Sequence, residues 1–140
     1  MKNTDPVFRQ PAPWGMLRLF SKTGTLCQSG NILGLPVEEN ASIRDVSLGD
    51  SYSYTSLILL ESRPSGIDFW AAFKDRLSLL GERIRNIECD SKWIELFWVI
   101  MRDEAYSSIQ ISPEILHSIS ETQCSLQTTC CYAIPTNTDA

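Results

Sequence analysis

The chain has 140 residues, of which 43% are hydrophobic, and a formal net charge of −5. A chain of this length forms a single domain and buries roughly two-thirds of its unfolded surface. Nucleic-acid binding depends largely on clustered Lys and Arg, whereas the basic residues here are scattered among acidic ones. This distribution argues against a nucleic-acid partner.

The amino-terminal residues 1–13 are polar and contain three prolines, so we expect a flexible arm and not a secretory signal. No apolar run approaches the roughly 18 residues that a membrane-spanning helix needs. We therefore predict a cytoplasmic protein with no membrane partner. Its five cysteines are then reduced thiols.

The sequence gives no indication of a cofactor or a metal site. Cys124, Cys130 and Cys131 lack the paired C-x-x-C spacing of zinc sites, and the chain has one histidine. We expect the cysteines to serve as small buried hydrophobic residues.

The predicted elements begin with a strand at about Trp14–Phe20. A T-x-x-Q capping box at Thr25–Gln28 starts a short helix, which Gly34 and Pro36 end. The following segment, Val37–Asp50, is polar and acidic, and we expect it to be mainly a solvated loop with a strand starting near its end.

The centre of the chain carries the clearest periodicities. Tyr54–Ser62 is a predicted strand. The helix predicted over about Gly66–Glu88 has an apolar residue at every third or fourth position. Gly81 lies inside it at a cost of about 1 kcal/mol against Ala, which suggests close packing or a kink.

The last third of the chain indicates strand, helix and strand. Trp93–Met101 is almost continuously apolar, as expected of a central strand. A short strand is predicted at Ser107–Ile111, and Ser112 and Pro113 then cap and open a helix. The last strand is predicted at Leu126–Ile134.

This order of elements predicts an α+β domain over residues 14–134, followed by a polar tail at 135–140. Its first six elements follow the ferredoxin-like split β-α-β pattern. We expect an antiparallel or mixed sheet with helices packed mainly on one face, extended by a C-terminal strand-helix-strand unit.

The chain resembles, over roughly residues 14–134, a bacterial family catalogued only as a domain of unknown function. The matching features are Leu33-Gly-Leu-Pro36, the hydrophobic strand and long helix after it, Ile111-Ser-Pro-Glu-Ile-Leu116, and a late strand ending at Tyr132. The chain lacks the tryptophan expected near Ser56–Leu59. The resemblance implies no enzymatic activity, and by analogy it suggests an immunity protein.

Candidate catalytic groups are sparse. His117 is predicted to face water on the last helix, away from its apolar stripe. The adjacent carboxylates at Glu38/Glu39 and Asp103/Glu104 would both stay ionised in polar loops, whereas acid–base catalysis needs carboxyls in different environments. We therefore predict no catalytic residue.

Alternation along Trp93–Met101 separates two faces of the predicted sheet. If Ile94, Leu96, Trp98 and Ile100 face the helices, then Trp93, Glu95 and Phe97 face the other way. Either Met16, Arg18 and Phe20, or Leu57, Leu59 and Glu61, would join them. This second face suits a protein interface, unless a further strand, a loop or the amino-terminal arm covers it.

These observations favour a non-catalytic binding protein, most concretely an immunity protein that neutralises a cognate bacterial toxin by direct binding. We predict that an acidic loop with Glu38, Glu39, Asp45 and Asp50 pairs with a cationic toxin. The alternative is a dimeric small-molecule-sensing or regulatory module of ferredoxin-like type. An enzyme of unrecognised type ranks last.

Overall fold

The computed structural model describes residues 13–22, 33–45, 50–63, 66–100 and 109–132. These residues form an α+β fold with two helices and five strands. The strands are β1 (Trp14–Ser21), β2 (Val37–Asp45), β3 (Asp50–Leu60), β4 (Ser91–Ile100) and β5 (Ser125–Tyr132), and the helices are α1 (Gly66–Arg85) and α2 (Pro113–Glu121).

The five strands form one mixed sheet in the order β2-β3-β1-β4-β5. The first three pairings in that order are antiparallel, and β4 pairs with β5 in parallel. Because β5 returns beside β4 after α2, the C-terminal unit extends the same sheet.

The prediction for the segment after Pro36 was wrong. Val37–Asp45 is a strand, and its antiparallel register brings Asp45 opposite Asp50 at the start of β3. The polar composition did not indicate a strand because β2 lies at the edge of the sheet. At an edge, backbone pairing can form a strand without burial of apolar side chains.

Two other boundaries also differ from expectation. Of the predicted short strand Ser107–Ile111, the structure describes residues 109–111, and these are irregular and not a strand. The long helix ends at Arg85, three residues before the predicted end at Glu88. Its carbonyl end is capped by Lys92, whose Nζ donates to the carbonyls of Ile84 at 3.0 Å and Arg85 at 2.6 Å.

The helix signals were correct where they can be checked. Ser112 is the N-cap of α2, its hydroxyl accepts from the Ile115 backbone N–H at 3.3 Å, and Pro113 follows at the first helical position. Leu33 is helical, and Gly34 has a φ of 69°, the left-handed conformation that glycine adopts readily just past a helix end.

The hydrophobic core lies between one face of the sheet and the two helices. Phe69, Phe73, Leu77, Leu80 and Ile84 of α1 pack with sheet and α2 residues in a single buried cluster. Side chains that the sheet contributes to this face are fully or almost fully buried: Leu17, Leu19, Leu57, Leu59, Ile94 and Leu96.

Helix α1 packs closely against β1 at Gly15. A Cβ atom at this position would lie 2.8 Å from Cε1 of Phe73, so the absence of a side chain is what lets α1 pack there. Neither helix of the described residues has the length and apolar composition that crossing a membrane requires.

Candidate functional site

The candidate site is the sheet face that points away from the helices, which we call the outer face. Strand register assigns its side chains, because residues directly opposite each other on paired strands share a face. Arg18 pairs with Ser56 on one side and with Trp93 on the other. By this register the outer face includes Trp14, Met16, Arg18, Phe20, Tyr54, Ser56, Ile58, Trp93, Glu95, Phe97, Val99, Ser125, Gln127, Thr129 and Cys131.

A polar network crosses four strands at the centre of the outer face. Arg18 of β1 donates through Nη1 to the Tyr54 hydroxyl of β3, and its Nε pairs with Oε1 of Glu95 on β4. The other oxygen of Glu95 accepts from the Thr129 hydroxyl of β5 at 2.7 Å. Each member is therefore partnered across a strand boundary.

The ion pair at the centre of this network is shielded from solvent. The side chain of Arg18 is 20% exposed and that of Glu95 is 11% exposed. Burial opposes the positive charge on Arg18, but the hydrogen bond to Tyr54 and the charge of Glu95 outweigh it and raise the pKa of Arg18. The guanidinium is thus a permanent cation.

Aromatic rings surround the ion pair. Trp14 and Phe97 stack with an interplanar angle of 9° and a centroid distance of 6.1 Å. Tyr54 and Trp93 lie 6.4 Å apart in a tilted arrangement. All four are only partly buried, so their rings keep some access to solvent. The Trp93 indole N–H has no hydrogen-bond partner among the described residues.

The sequence-based assignment of this face is confirmed for β4 and for one of its two alternatives. Trp93, Glu95 and Phe97 lie on the outer face, and Met16, Arg18 and Phe20 join them. The other alternative was wrong, because Leu57 and Leu59 lie in the core beneath the helices. That these residues bind a partner stays a prediction.

Several residues of the site were missed from the sequence. Tyr54, Trp14 and Thr129 complete the network and its aromatic border, yet no sequence signal assigned them to this face. In β3, polar residues lie on both faces: Thr55 pairs with Leu19 of the helical face, and Ser56 pairs with Arg18 of the outer face. An alternation of apolar and polar residues is therefore absent there.

The four predicted acidic residues lie on β2 and β3 and not in a loop. Glu38, Glu39 and Asp45 are in the edge strand β2, and Asp50 begins β3. Glu38 is exposed, and its Oε2 accepts from the Ser56 hydroxyl at 2.6 Å. This bond places the Glu38 carboxylate at the border of the outer face, beside residues of the network.

A groove of about 690 Å³ lies at the amino-terminal ends of β4 and β5, lined partly by Cys89, Lys92 and Trp93. Lys92 is engaged with the carbonyls at the end of α1. Burial raises the pKa of the Cys89 thiol and that of the nearby Cys124 thiol. Neither thiol is therefore activated as a nucleophile.

His117 is exposed on α2, as predicted. Its Nε2 atom lies 3.3 Å from Oε1 of Glu121, one turn further along the helix. Within the described ranges no group of three His, Cys, Asp or Glu side chains could hold a metal ion.

Comparisons with known proteins found no similar protein. No family model matches the chain, and neither a curated protein nor a solved structure matches it.

Proposed function

We propose that this protein is a non-catalytic binding protein whose outer face docks onto a protein partner. The observation that carries the proposal is the combination of partly accessible aromatic rings with a solvent-shielded Arg18–Glu95 ion pair at their centre. Interfaces are enriched in Tyr, Trp, Phe and Arg, and a few such residues near the centre supply most of the binding energy.

The polar network is suited to burial under a partner. An unpaired charge that loses its solvent is strongly unfavourable, but Glu95 is already ion-paired with Arg18 and accepts a hydrogen bond from Thr129. A partner can therefore cover the centre of the face without leaving that carboxylate unsatisfied. The aromatic rings around it supply apolar area to bury.

The most concrete form of the proposal is an immunity protein that neutralises a cationic bacterial toxin by direct binding. The net charge of −5 supports this choice, because complementary charge accelerates encounter between proteins. Glu38 lies at the border of the outer face, so acidic groups and aromatic rings can contact the same partner. The resemblance to the family of unknown function stays a prediction.

The test is co-expression with the carboxy-terminal domain of the protein encoded by the gene directly upstream, which the proposal expects to be toxic. If the proposal is correct, this protein restores growth of cells that express that domain, and the purified pair forms a complex. Toxicity without rescue, together with no complex formation, would reject the immunity role.

The binding surface is tested with two variants that differ in position and not in exposure. Val99 on the outer face is 48% exposed, and Leu116 on α2 is 45% exposed. We expect Val99→Lys to weaken the complex and Leu116→Lys to leave its affinity unchanged. The opposite result would move the interface to the helical side.

The acidic residues are tested separately. Charge reversal at Glu38, Glu39, Asp45 and Asp50 is expected to slow association and to reduce its dependence on salt concentration. An unchanged association rate would remove these residues from the site while leaving the role of the outer face intact.

The second candidate is a dimeric small-molecule-sensing or regulatory module of ferredoxin-like type. The strand order β2-β3-β1-β4, with every neighbour antiparallel, favours it. This is the order of the ferredoxin-like split β-α-β pattern, which extends here by β5. Thermal stabilisation of the protein by one compound of a metabolite library, combined with failure to neutralise any toxin, would favour this candidate.

A further inference from the structure

The charges on the outer face do not balance. Among the strand residues whose side chains the structure describes, the charged ones on this face or at its border are Arg18, Glu95 and Glu38. Arg18 and Glu95 form an ion pair that is shielded from solvent, so their charges offset each other. Glu38 has no ion-pair partner among the described residues. The face therefore carries one uncompensated negative charge.

The carboxylate of Glu38 is held in place and is still accessible. The side chain is exposed, and its Oε2 accepts a hydrogen bond of 2.6 Å from the hydroxyl of Ser56. Because Ser56 is fully buried, this bond fixes one carboxylate oxygen against the sheet. The other oxygen, Oε1, has no hydrogen-bond partner in the part of the chain that the structure describes. Glu38 can therefore accept from a cationic donor and keep its bond to the sheet.

Aromatic rings lie beside this carboxylate. Tyr54 is on the same face as Ser56 and two residues away along β3, a separation of about 6–7 Å. The ring of Trp93 follows, with 6.4 Å between its centroid and that of Tyr54. Both residues are only partly buried. The face of an aromatic ring carries negative partial charge, so the rings and Glu38 attract a partner group of the same sign.

We propose that an arginine side chain of the protein partner binds beside Glu38, with its guanidinium paired to the carboxylate and stacked on the ring of Tyr54. The contact rests on the proposed function, because it forms part of the face that docks the partner. Charge complementarity selects a cation, since a cation neutralises the uncompensated charge of this face. Arginine fits better than lysine, because a planar guanidinium pairs with a carboxylate, stacks on an aromatic ring and is more weakly hydrated than an ammonium.

Arg18 does not prevent this contact, although it donates to the Tyr54 hydroxyl. Its charge is offset by the carboxylate of Glu95, with which it is ion-paired. An incoming guanidinium therefore meets two carboxylates and one guanidinium, which together have a net charge of −1. The bound arginine brings this group to neutrality. Paired charges lose their solvent under a partner at a lower cost than a lone charge does.

The first test uses small probes and requires no known partner. The probe is N-acetyl-arginine amide, compared with N-acetyl-lysine amide and with N-acetyl-citrulline amide, in which an uncharged urea replaces the guanidinium. Binding is followed by two-dimensional NMR through the indole N–H of Trp93 and the backbone amides of Tyr54 and Ser56. We expect saturable shifts with the arginine probe, and binding of the other two that is weaker by about tenfold or more.

The second test changes the carboxylate. Glu38→Gln removes the charge but keeps a side-chain oxygen that can accept from Ser56. A matched control is Glu82→Gln, the same change at an exposed position of α1. We expect Glu38→Gln to weaken binding of the arginine probe, and of the partner found by co-expression, by about tenfold or more. The control should bind both like the wild type.

Three outcomes would overturn the arginine contact: no saturable shift with the arginine probe, equal binding of the lysine or citrulline probe, or equal binding by Glu38→Gln and Glu82→Gln. A partner complex that Val99→Lys weakens and Glu38→Gln does not would also reject this contact, while docking on the outer face would stand. Conversely, arginine binding that depends on Glu38, in a protein that forms no complex with the upstream domain, would support the contact and reject the immunity role.

Discussion

The two faces of the sheet are made from the same strands and yet are stabilised differently. On the helical face, Leu17 and Ile94 are fully buried, and the stabilisation comes from apolar area removed from water. On the outer face, Arg18 and Glu95 are held by one another and by hydroxyl groups, with partly accessible aromatic rings around them.

This difference predicts that loss of an apolar side chain lowers the free energy of unfolding more on the helical face than on the outer face. The helical face requires close packing, because a well-packed interior tolerates little change in volume. The outer face carries five aromatic residues that are not part of the core beneath the helices. The following substitutions test this contrast, from the largest expected effect to the smallest.

The strongest test of the contrast uses one phenylalanine from each face. Phe73 is 0% exposed in the core, so Phe73→Ala should lower the free energy of unfolding by about 3–5 kcal/mol in urea denaturation. Phe97 on the outer face is only partly buried. We expect Phe97→Ala to have less than about half of that effect. Equal losses would mean that the outer face is a second core.

Removing the cation of the network should have the next largest effect. Arg18→Met leaves Glu95, which is 8% exposed, without its ion-pair partner. We expect a loss of about 2 kcal/mol, below the range for fully buried pairs because Arg18 keeps some solvent access. The double variant Arg18→Met/Glu95→Gln should recover part of it. A double variant as unstable as the sum of its single changes would contradict this coupling.

The close approach between α1 and β1 is tested by adding one methyl group. In Gly15→Ala the new Cβ atom would lie 2.8 Å from Phe73, whose ring also stacks on Phe69 with 5.3 Å between centroids. We expect a loss of about 1–2 kcal/mol from this overpacking. Combining Gly15→Ala with Phe73→Leu should be less destabilising than the sum of the two changes, as measured in a double-mutant cycle.

The cap at the end of α1 should contribute somewhat less. Lys92 Nζ donates to the carbonyls of Ile84, Arg85 and Ile87 at 2.6–3.2 Å. Lys92→Met keeps much of the apolar stem but removes these bonds and the cation at the negative helix end. We expect a loss of about 1 kcal/mol in chemical denaturation. A variant as stable as the wild type would show that water satisfies these carbonyls equally well.

The smallest predicted effect is a gain in stability. Gly81 is a buried helical glycine of α1, and a Cβ atom there would lie 3.8 Å from Cγ2 of Thr122, an ordinary van der Waals distance. Packing therefore does not require glycine at this position. We expect Gly81→Ala to raise the melting temperature and the free energy of unfolding by about 0.5–1 kcal/mol. Destabilisation would instead mean that the neighbouring Thr122 cannot accommodate the methyl group.

The sequence alone determined the elements whose signals are local. The apolar spacing over α1, the Ser112–Pro113 start of α2 and the continuous apolar run of β4 all lie within a few residues of one another along the chain. Helical periodicity and capping chemistry act over that same range. These predictions were therefore correct, apart from small errors at the boundaries.

The sequence did not determine β2 or the facing of β3. An edge strand gains much of its order from backbone hydrogen bonds to its neighbour, so Val37–Asp45 can be polar and still form a strand. In β3 the continuous run Leu57-Ile-Leu-Leu60 fits either orientation. The register against β1, a contact between distant parts of the chain, decided that Leu57 faces the helices.

The candidate site depended on tertiary structure most of all. Composition and alternation identified Trp93, Glu95 and Phe97 as one face of β4, because a strand alternates its side chains whatever its neighbours are. The partners of Glu95 are Arg18 and Thr129, and Tyr54 is the partner of Arg18. These three residues lie on three other strands, and only the strand order β3-β1-β4-β5 brings the four side chains into one network. Hydrogen bonds across strands depend on register and order, which are properties of the assembled sheet and not of any one segment.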